Sequence, residues 1–468
     1  MSVTRRDFFR SALTAVCLPA GLVERTKADA QHRAVLRFAA MSDVHLDQKH
    51  TPESPEWIRL TKAIRAMNSY SAQREYPAFD ALVVAGDLSN HGTAEELGAF
   101  RGILERELKP ETARILAMGN HEYYGGDRAV FEEVFCAEAN RHDVINGYHF
   151  ITVSPENGEC DEGPYLYIRP WLAEELENAC EAAPERPIFV VQHYNVYNTI
   201  WGSADLPGDF HAGVKDLLGV IDRYPQVVHI SGHSHAPSVH PRSMWQGAFS
   251  AVGTGSMSLI GGITEGIGQI LYLDGIDFSY SGGTFLVFEV YDDQSILIKL
   301  YDTVSDSFLD REYFLADPRD PEKFAYTDRR FDTAAAALWP QGAHLGVIET
   351  TPQGALLDLP AALDDDDVIF YTLTVEKIGS QEEEQQPPRV IRYWSEYYLK
   401  NRAERLKVPI GSLTPGTAYR VSVVGTNAFK KQTPTALTAE FTTAGQQEVS
   451  TCQYKRERNY ECYKTRLP

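Results

Sequence analysis

Short apolar runs recur through the first half of the chain, and each ends in polar or turn-forming residues. The clearest are Phe38-Ala39-Ala40-Met41, Ala81-Leu82-Val83-Val84-Ala85, Ile115-Leu116-Ala117-Met118, Ile188-Phe189-Val190-Val191 and Val227-Val228-His229-Ile230. Runs this short, bounded by turn signals, read as buried strands. Between them, Pro55 to Tyr70, Thr93 to Glu107, Asp127 to Cys136 and Trp171 to Ala182 carry apolar residues at helical spacing with charged residues between. Strand alternating with helix, as far as about Arg223, predicts an α/β fold. From Phe249 the pattern turns to strands: Phe249 to Val252, Thr284 to Tyr291 and Ile296 to Tyr301, the last two joined by a turn at Asp292-Asp293-Gln294. The expected architecture is two sheets packed as a sandwich with helices outside.

The chain has 468 residues, enough for two or three domains. Residues 319–337 include a stretch rich in Pro, Asp and Arg and read as a linker; 31–318 form the first domain and 338–445 a second, all-β one. Val368 to Val375 alternates, Arg405 to Ile410 is strand-compatible, and the first strands are expected between Leu338 and Asp358. The stretch Leu413-Thr414-Pro415-Gly416-Thr417-Ala418-Tyr419 leads into Arg420-Val421-Ser422-Val423. It resembles the C-terminal half of a fibronectin type III domain, in which the Tyr hydroxyl bonds backbone at a strand corner. That domain carries no metal-ligand cluster. A chain ending near Arg330 is therefore expected to keep its chemistry, unless the domain covers a hydrophobic face. Acidic Asp364 to Asp367 and Gln381 to Gln386 read as solvated loops, without calcium-loop spacing.

The chemistry sits just after the apolar runs. Asp43-x-His45, Gly86-Asp87 with Asn90, Gly119-Asn120-His121-Glu122, His193 and Gly232-His233-Ser234-His235 follow in that order. Carboxylate, imidazole and amide donors suit ions such as Mn, Fe or Zn. Ligands at the ends of buried strands fit the usual place for sites in open α/β sheets. Alone, any one cluster is weak; a lone His is most often a satisfied core or surface residue. The ordered set, over roughly Val35 to Tyr301, resembles the calcineurin-like metallophosphoesterase superfamily.

That resemblance implies a four-layer α-β-β-α sandwich and a centre of two divalent or trivalent metal ions, Mn, Fe or Zn. Asp43, His45 and His235 would bind the first ion, Asn120, His193 and His233 the second, and Asp87 would bridge them. Alternation at a strand end would put both members of Asp43-x-His45 and of His233-x-His235 on one side. Two ions about 3.5–4 Å apart can hold a hydroxide and clamp phosphoryl oxygens. His121 is then free to be the general acid, against the blander role of orienting phosphate. Asn90 would position its loop or a ligand near Asp87, and His91 reads as a plain loop residue. Purple acid phosphatases place a Tyr where Asn90 stands, so that subfamily is disfavoured; no arginine pair of the serine/threonine phosphatases appears either. The implied substrate is a small phosphate ester, mono- or diester. Tyr123, Tyr124, Tyr194, Tyr197, Trp201 and Phe210 either line the mouth or simply pack loops.

The N-terminus refines the picture. Thr4-Arg5-Arg6-Asp7-Phe8-Phe9-Arg10, an apolar stretch from Ser11 to Val23 and Ala28-Asp29-Ala30 resemble a twin-arginine signal peptide over residues 1–30. Periplasmic or secreted protein starting at Gln31 is expected, with no transmembrane segment, the apolar stretch being too short to span. Cleavage removes five basic and three acidic residues and makes the net charge more negative than −21. Such charge argues against nucleic-acid or anionic-membrane partners. In an oxidising compartment Cys452 and Cys462 would close the tail 446–468, and Cys160 and Cys180 are the next pair, with Cys136 competing. The competing function is an extracytoplasmic binding or adhesion protein that uses the fibronectin-like domain over a degenerate phosphoesterase fold. A complete ligand set argues against it.

Overall fold

A computed structural model describes residues 32–47, 51–159, 163–203, 213–258, 283–379 and 387–445. The expected signal segment, Cys160, Phe210 and the Cys452–Cys462 pairing lie outside the described residues; Cys136 and Cys180 are free thiols. In chain order, β1 (Ala34–Met41), α1 (Pro55–Ala72), β2 (Ala81–Ala85), α2 (Ala94–Glu107) and β3 (Ala113–Ala117) come first. Next are α3 (Arg128–Phe135), β4 (Arg141–Ile145), β5 (Tyr148–Thr152), α4 (Arg169–Ala182) and β6 (Ile188–Val191). The small pair β7 (Asn195–Val196) and β8 (Gly213–Val214) precedes β9 (Val227–Ser231), β10 (Met244–Gln246) and β11 (Ser250–Gly253). Three antiparallel strands follow, β12 (Thr284–Tyr291), β13 (Ile296–Asp302) and β14 (Ser307–Leu315).

Strand alternation decides which layer each side chain meets. Along β1, Phe38 and Ala40 point into a core shared with Phe150, Phe189, Val228 and Phe288, while Ala39 and Met41 join Leu60, Ile64, Leu97 and Phe100 of α1 and α2. The first sheet has the order β14-β13-β12-β1-β2-β3 and the second β10-β11-β9-β6-β5-β4. Phe38 and Phe288 stack at 4.4 Å in the layer between them, with Phe150 and Phe189 edge-on. On the outer side of the second sheet, Leu172, Leu176 and Ala179 of α4 meet Ile188, Val190 and Val227. The result is four layers, helix-sheet-sheet-helix. Parallel pairing of β1-β2-β3 and of β6-β9-β11 sends the carboxyl ends of β1, β2, β3, β6 and β9 toward one rim. No helix among the described residues is long and apolar enough to cross a membrane.

The C-terminal region is all-β. A three-stranded sheet of β15 (Gly346–Thr351), β16 (Gly354–Pro360) and a later strand faces a four-stranded one that begins with β17 (Val368–Lys377) and β18 (Arg389–Trp394). The later strand is β19 (Arg405–Ile410), and β20 (Ala418–Asn427) and β21 (Leu437–Thr442) complete the larger sheet. Leu357, Tyr371, Leu373, Val408, Val421 and Val423 fill the space between. The Tyr419 hydroxyl accepts from the Thr414 backbone N–H at 2.9 Å, closing the corner.

The two regions share a core. Ile369, Phe370, Trp394, Tyr397, Tyr398 and Phe429 belong to the same buried cluster as the inter-sheet residues. Trp201 stacks on His240 at 4.0 Å and on Trp394 at 5.8 Å, and His240 meets Tyr397 edge-on at 5.7 Å. The condition attached to truncation at Arg330 is therefore met: the domain covers a hydrophobic face. The segment read as a linker makes its own bonds to the first domain. The Arg330 guanidinium donates to the carbonyls of Pro241 and Met244 at 2.9 and 2.8 Å, and the Tyr326 hydroxyl accepts from the Phe314 N–H. These strap the segment to the first domain. Asp364 to Asp367 are likewise not all solvated. Asp367 is buried and pairs with Arg311 at 2.9 Å and with Arg402, while the Asp364 carboxylate accepts from Asn427 at 3.0 Å.

Candidate metal centre

Each of the five strand ends delivers one cluster. Asp43 lies two residues beyond β1, Asp87 two beyond β2, Asn120 three beyond β3, and His193 and His233 two beyond β6 and β9. Backbone bonds lace these loops together. Asp43 N–H donates to the Gly86 carbonyl at 3.1 Å, Val44 N–H to Asp87 at 2.9 Å, and Gly232 N–H to His193 at 2.9 Å. Glycine is required where backbones approach: a Cβ on Gly86, at φ +86°, would sit 2.4 Å from His193 Nδ1, and one on Gly119 would sit 2.2 Å from Asp87 Oδ1.

Strand alternation does not aim the paired ligands, contrary to the sequence-based expectation. Asp43, His45, Asp87, His233 and His235 all adopt left-handed backbone, with φ between 51° and 64°. For residues with a Cβ this conformation is strained, and such strain concentrates at functional sites. Here it turns each side chain off the strand end and back over the rim.

The structure brings all seven expected ligand residues to one place, in two overlapping groups. Asp43, His45, Asp87 and His235 offer donor atoms within 4.8 Å of one another, and Asp87, His193 and His233 do the same. Asn120 joins the second group through Oδ1, 3.0 Å from His193 Nε2. In the first group, His235 Nε2 is 3.1 Å from both His45 Nε2 and Asp43 Oδ1. Asp87 Oδ2 is 3.3 Å from His193 Nε2 and 3.7 Å from His45 Nε2. Donors each about 2.0–2.2 Å from a common ion stand roughly 3–3.6 Å apart, so these separations fit an ion in each group. The donor set, carboxylate and imidazole with one amide, also fits.

Several neighbours fix donor orientation. The His193 Nδ1–H donates to the Ala85 carbonyl at 2.9 Å, so Nε2 faces the centre. His233 N–H donates to the Asp43 carboxylate, and His121 N–H to Asp87 Oδ1 at 3.0 Å. Burial opposes ionisation of Asp43 and Asp87, yet His235 beside Asp43 and His193 beside Asp87 hold both carboxyls below their usual range. Burial alone would lower His193, but Asp87 and Asp43 raise it to about 9. Burial pushes His45 down to about 4 and His233 to about 3, which keeps both imidazoles neutral and able to ligate.

His121 is part-exposed. Its Nδ1 bonds the Asn90 carbonyl at 2.9 Å, and its Nε2 lies 3.9 Å from Asp87 Oδ2. Asn90 thus contributes through its backbone. His91 is a half-exposed loop residue paired with Glu96, as its sequence suggested.

Sequence reasoning named Glu122 only as part of a motif and gave it no task. It is fully buried, and its carboxylate accepts from the N–H groups of Asp87 at 3.0 Å, Ser89 at 3.1 Å and Gly119 at 2.7 Å. One side chain therefore ties the Asp87 loop to the Asn120 loop. Its position behind an Asn-His pair was the available signal. Ser42 does similar work behind Asp43, bonding that carboxylate and Thr254. Glu122→Ala should leave three buried donors unpaired, at about 1–3 kcal/mol each, and lower activity roughly 10–100-fold. Denaturant unfolding and metal content measure this; unchanged values for both would show that the tie is dispensable.

Known proteins were compared with the chain. A Caenorhabditis elegans protein, UPF0046 protein K07C11.7, is 27% identical over 176 residues, covering 34% of this chain and 57% of the worm protein. The structure of purple acid phosphatase PPD1 from yellow lupin (Lupinus luteus) seeds aligns over 60% of this chain and 53% of its own, at 13% identity and a TM-score of 0.39. The chain thus spans a little over half the length of either. A fibronectin-type fn3 domain of human collagen alpha-1(XX) aligns over 25% of this chain and 92% of its own, at 19% identity and a TM-score of 0.18. Residues 36–237, which hold every one of the ligand clusters, match the family model for calcineurin-like phosphoesterases.

Proposed function

We propose that this protein is a metal-dependent phosphohydrolase that cleaves small phosphate mono- or diesters at the Asp87 centre. The observation that carries the reading is the shared carboxylate: Asp87 belongs to both donor groups. Asp43, His45 and His235 would hold one ion, Asn120, His193 and His233 the other, with Asp87 between; Mn, Fe and Zn suit these donors. Two ions held there supply Lewis-acid activation of water and neutralise the phosphoryl oxygens. The chain's own residues do the rest. Asp43 and Asp87 stay ionised, His193 presents Nε2 while Ala85 holds its Nδ1–H, and the rim loops are locked by Glu122.

His121 is assigned as general acid. With Nδ1 engaged by the Asn90 carbonyl, Nε2 is the atom free to protonate the leaving oxygen. The all-β region is read as a fibronectin type III-like domain, supported by its three-plus-four strands and the Tyr419 corner. It packs on Trp201 and His240, and none of its described residues belongs to either donor group.

The function is tested by assaying chromogenic and alkyl mono- and diesters with Mn, Fe or Zn; no turnover with any pairing sinks it. The role of His121 has its own signature. A positioned acid contributes about 10²–10⁴-fold when the leaving group is a poor one. His121→Ala should therefore slow alkyl ester hydrolysis much more than p-nitrophenyl ester hydrolysis, at full metal content. Equal losses on both would mean that the ring binds phosphate and donates no proton.

A further inference from the structure

Six aromatic residues flank the ligand clusters in the sequence; five of them, all but Phe210, lie among the described residues, and the structure separates these five. Tyr194 and Trp201 are fully buried: Tyr194 packs edge-on against the His233 ring at 4.4 Å and Trp201 stacks on His240. The Tyr123 hydroxyl donates to the Pro155 carbonyl at 2.6 Å, and Tyr197 lies beneath Lys215 at 4.1 Å. Tyr124 differs. It is 57% exposed, yet its position is fixed at three points. Its N–H donates to the His121 carbonyl at 3.2 Å, its hydroxyl accepts from Asn120 Nδ2 at 2.8 Å, and its ring lies 4.5 Å from the His121 ring. An exposed aromatic is ordinary on a protein surface. One tied by its hydroxyl to an expected ligand, and by its ring to the expected acid, is not.

The placement has two consequences. Accepting from Nδ2 turns the Asn120 amide so that Oδ1 faces His193, at 3.0 Å. The exposed ring also stands beside His121, the residue read above as general acid. Resting on the phosphohydrolase reading above, we propose that Tyr124 is the specificity-determining residue of the site. It would stack on a planar aromatic ring carried by the leaving group, as in an aryl or nucleoside phosphate ester. Its hydroxyl is also a positioning group for Asn120.

Three proteins separate these roles: the parent, Tyr124→Phe and Tyr124→Leu, each holding its metals. Phenyl phosphate and a nucleoside 5′-monophosphate form the aromatic arms, and glycerol phosphate is the non-aromatic reference. Aromatic stacking on a base contributes about ten-fold or more. At saturating metal and relative to Tyr124→Phe, which also lacks the hydroxyl, Tyr124→Leu should raise KM for at least one aromatic arm by about that factor, with the glycerol phosphate KM differing less than two-fold between the two variants. The arm that responds names the source of the ring. Tyr124→Phe should keep the aromatic KM and require several-fold more metal for half-maximal activity. An equal change on all three substrates in Tyr124→Leu, or none, overturns the stacking role; unchanged metal dependence in Tyr124→Phe overturns the positioning role. A parent protein inactive on every ester would instead refute the phosphohydrolase reading.

Discussion

Asp87→Ala is expected to lose at least about 10³-fold in kcat/KM, roughly 4 kcal/mol of transition-state stabilisation. Among the described residues no other side chain belongs to both donor groups. Its Oδ2 approaches His193 and His45, while its Oδ1 takes the His121 N–H. Removing the carboxylate thus releases both donor groups and the acid's loop together. It also strips His193 of the main charge that raises it to about 9. Asp87→Asn is the informative partner, because an amide oxygen can still accept from His121 while carrying no charge. Full activity in the Asn variant would assign Asp87 a shape role only. Activity within ten-fold of the parent in the Ala variant would remove it from the centre altogether.

The second large effect lies outside the ligand loops. Trp394 of the all-β region stacks on Trp201, eight residues past His193, and Tyr397 meets His240, five residues past His235. Trp201 N–H also donates to the Arg242 carbonyl at 2.9 Å, joining the two loops that the Trp394 contact covers. Truncating a buried Trp to Ala typically costs about 3–5 kcal/mol. Trp394→Ala should lose that much stability and hold metal less tightly, although no ligand has changed. A chain ending at Arg330 should fare worse, exposing the whole aromatic face. Unfolding curves and metal titration decide; a truncated chain with unaltered stability and kcat/KM would show that the shared core is incidental.

Much of this was legible in the sequence, for physical reasons. Strands buried on both faces write themselves as unbroken apolar runs, which is why β1, β2, β3, β6 and β9 were readable, and the ligand clusters mark where they end. The edge strands β4 and β14 do not, whereas β3, also at an edge, keeps its apolar run because its last three residues are buried. β4 is Arg141-His142-Asp143-Val144-Ile145, with no fully buried residue, and β14 interleaves Asp310, Arg311 and Glu312 with its apolar positions. The left-handed backbone at Asp43, Asp87 and His235 carries no mark beyond residue type, because Asp and His tolerate it only moderately. The docking of the two regions was hidden for another reason. Asp367 and Arg330 look like solvated charges until Arg311, Arg402 and the Pro241 carbonyl meet them from positions 56, 35 and 89 residues away. Aromatic residues near the centre were ambiguous in kind; exposure together with the ties to Asn120 and His121 singled out Tyr124.

Elemental analysis of active protein after exhaustive dialysis measures whether a pair of ions shares Asp87. Two ions per chain are predicted, falling below one in Asp87→Ala; active protein with a single ion or none would contradict the account.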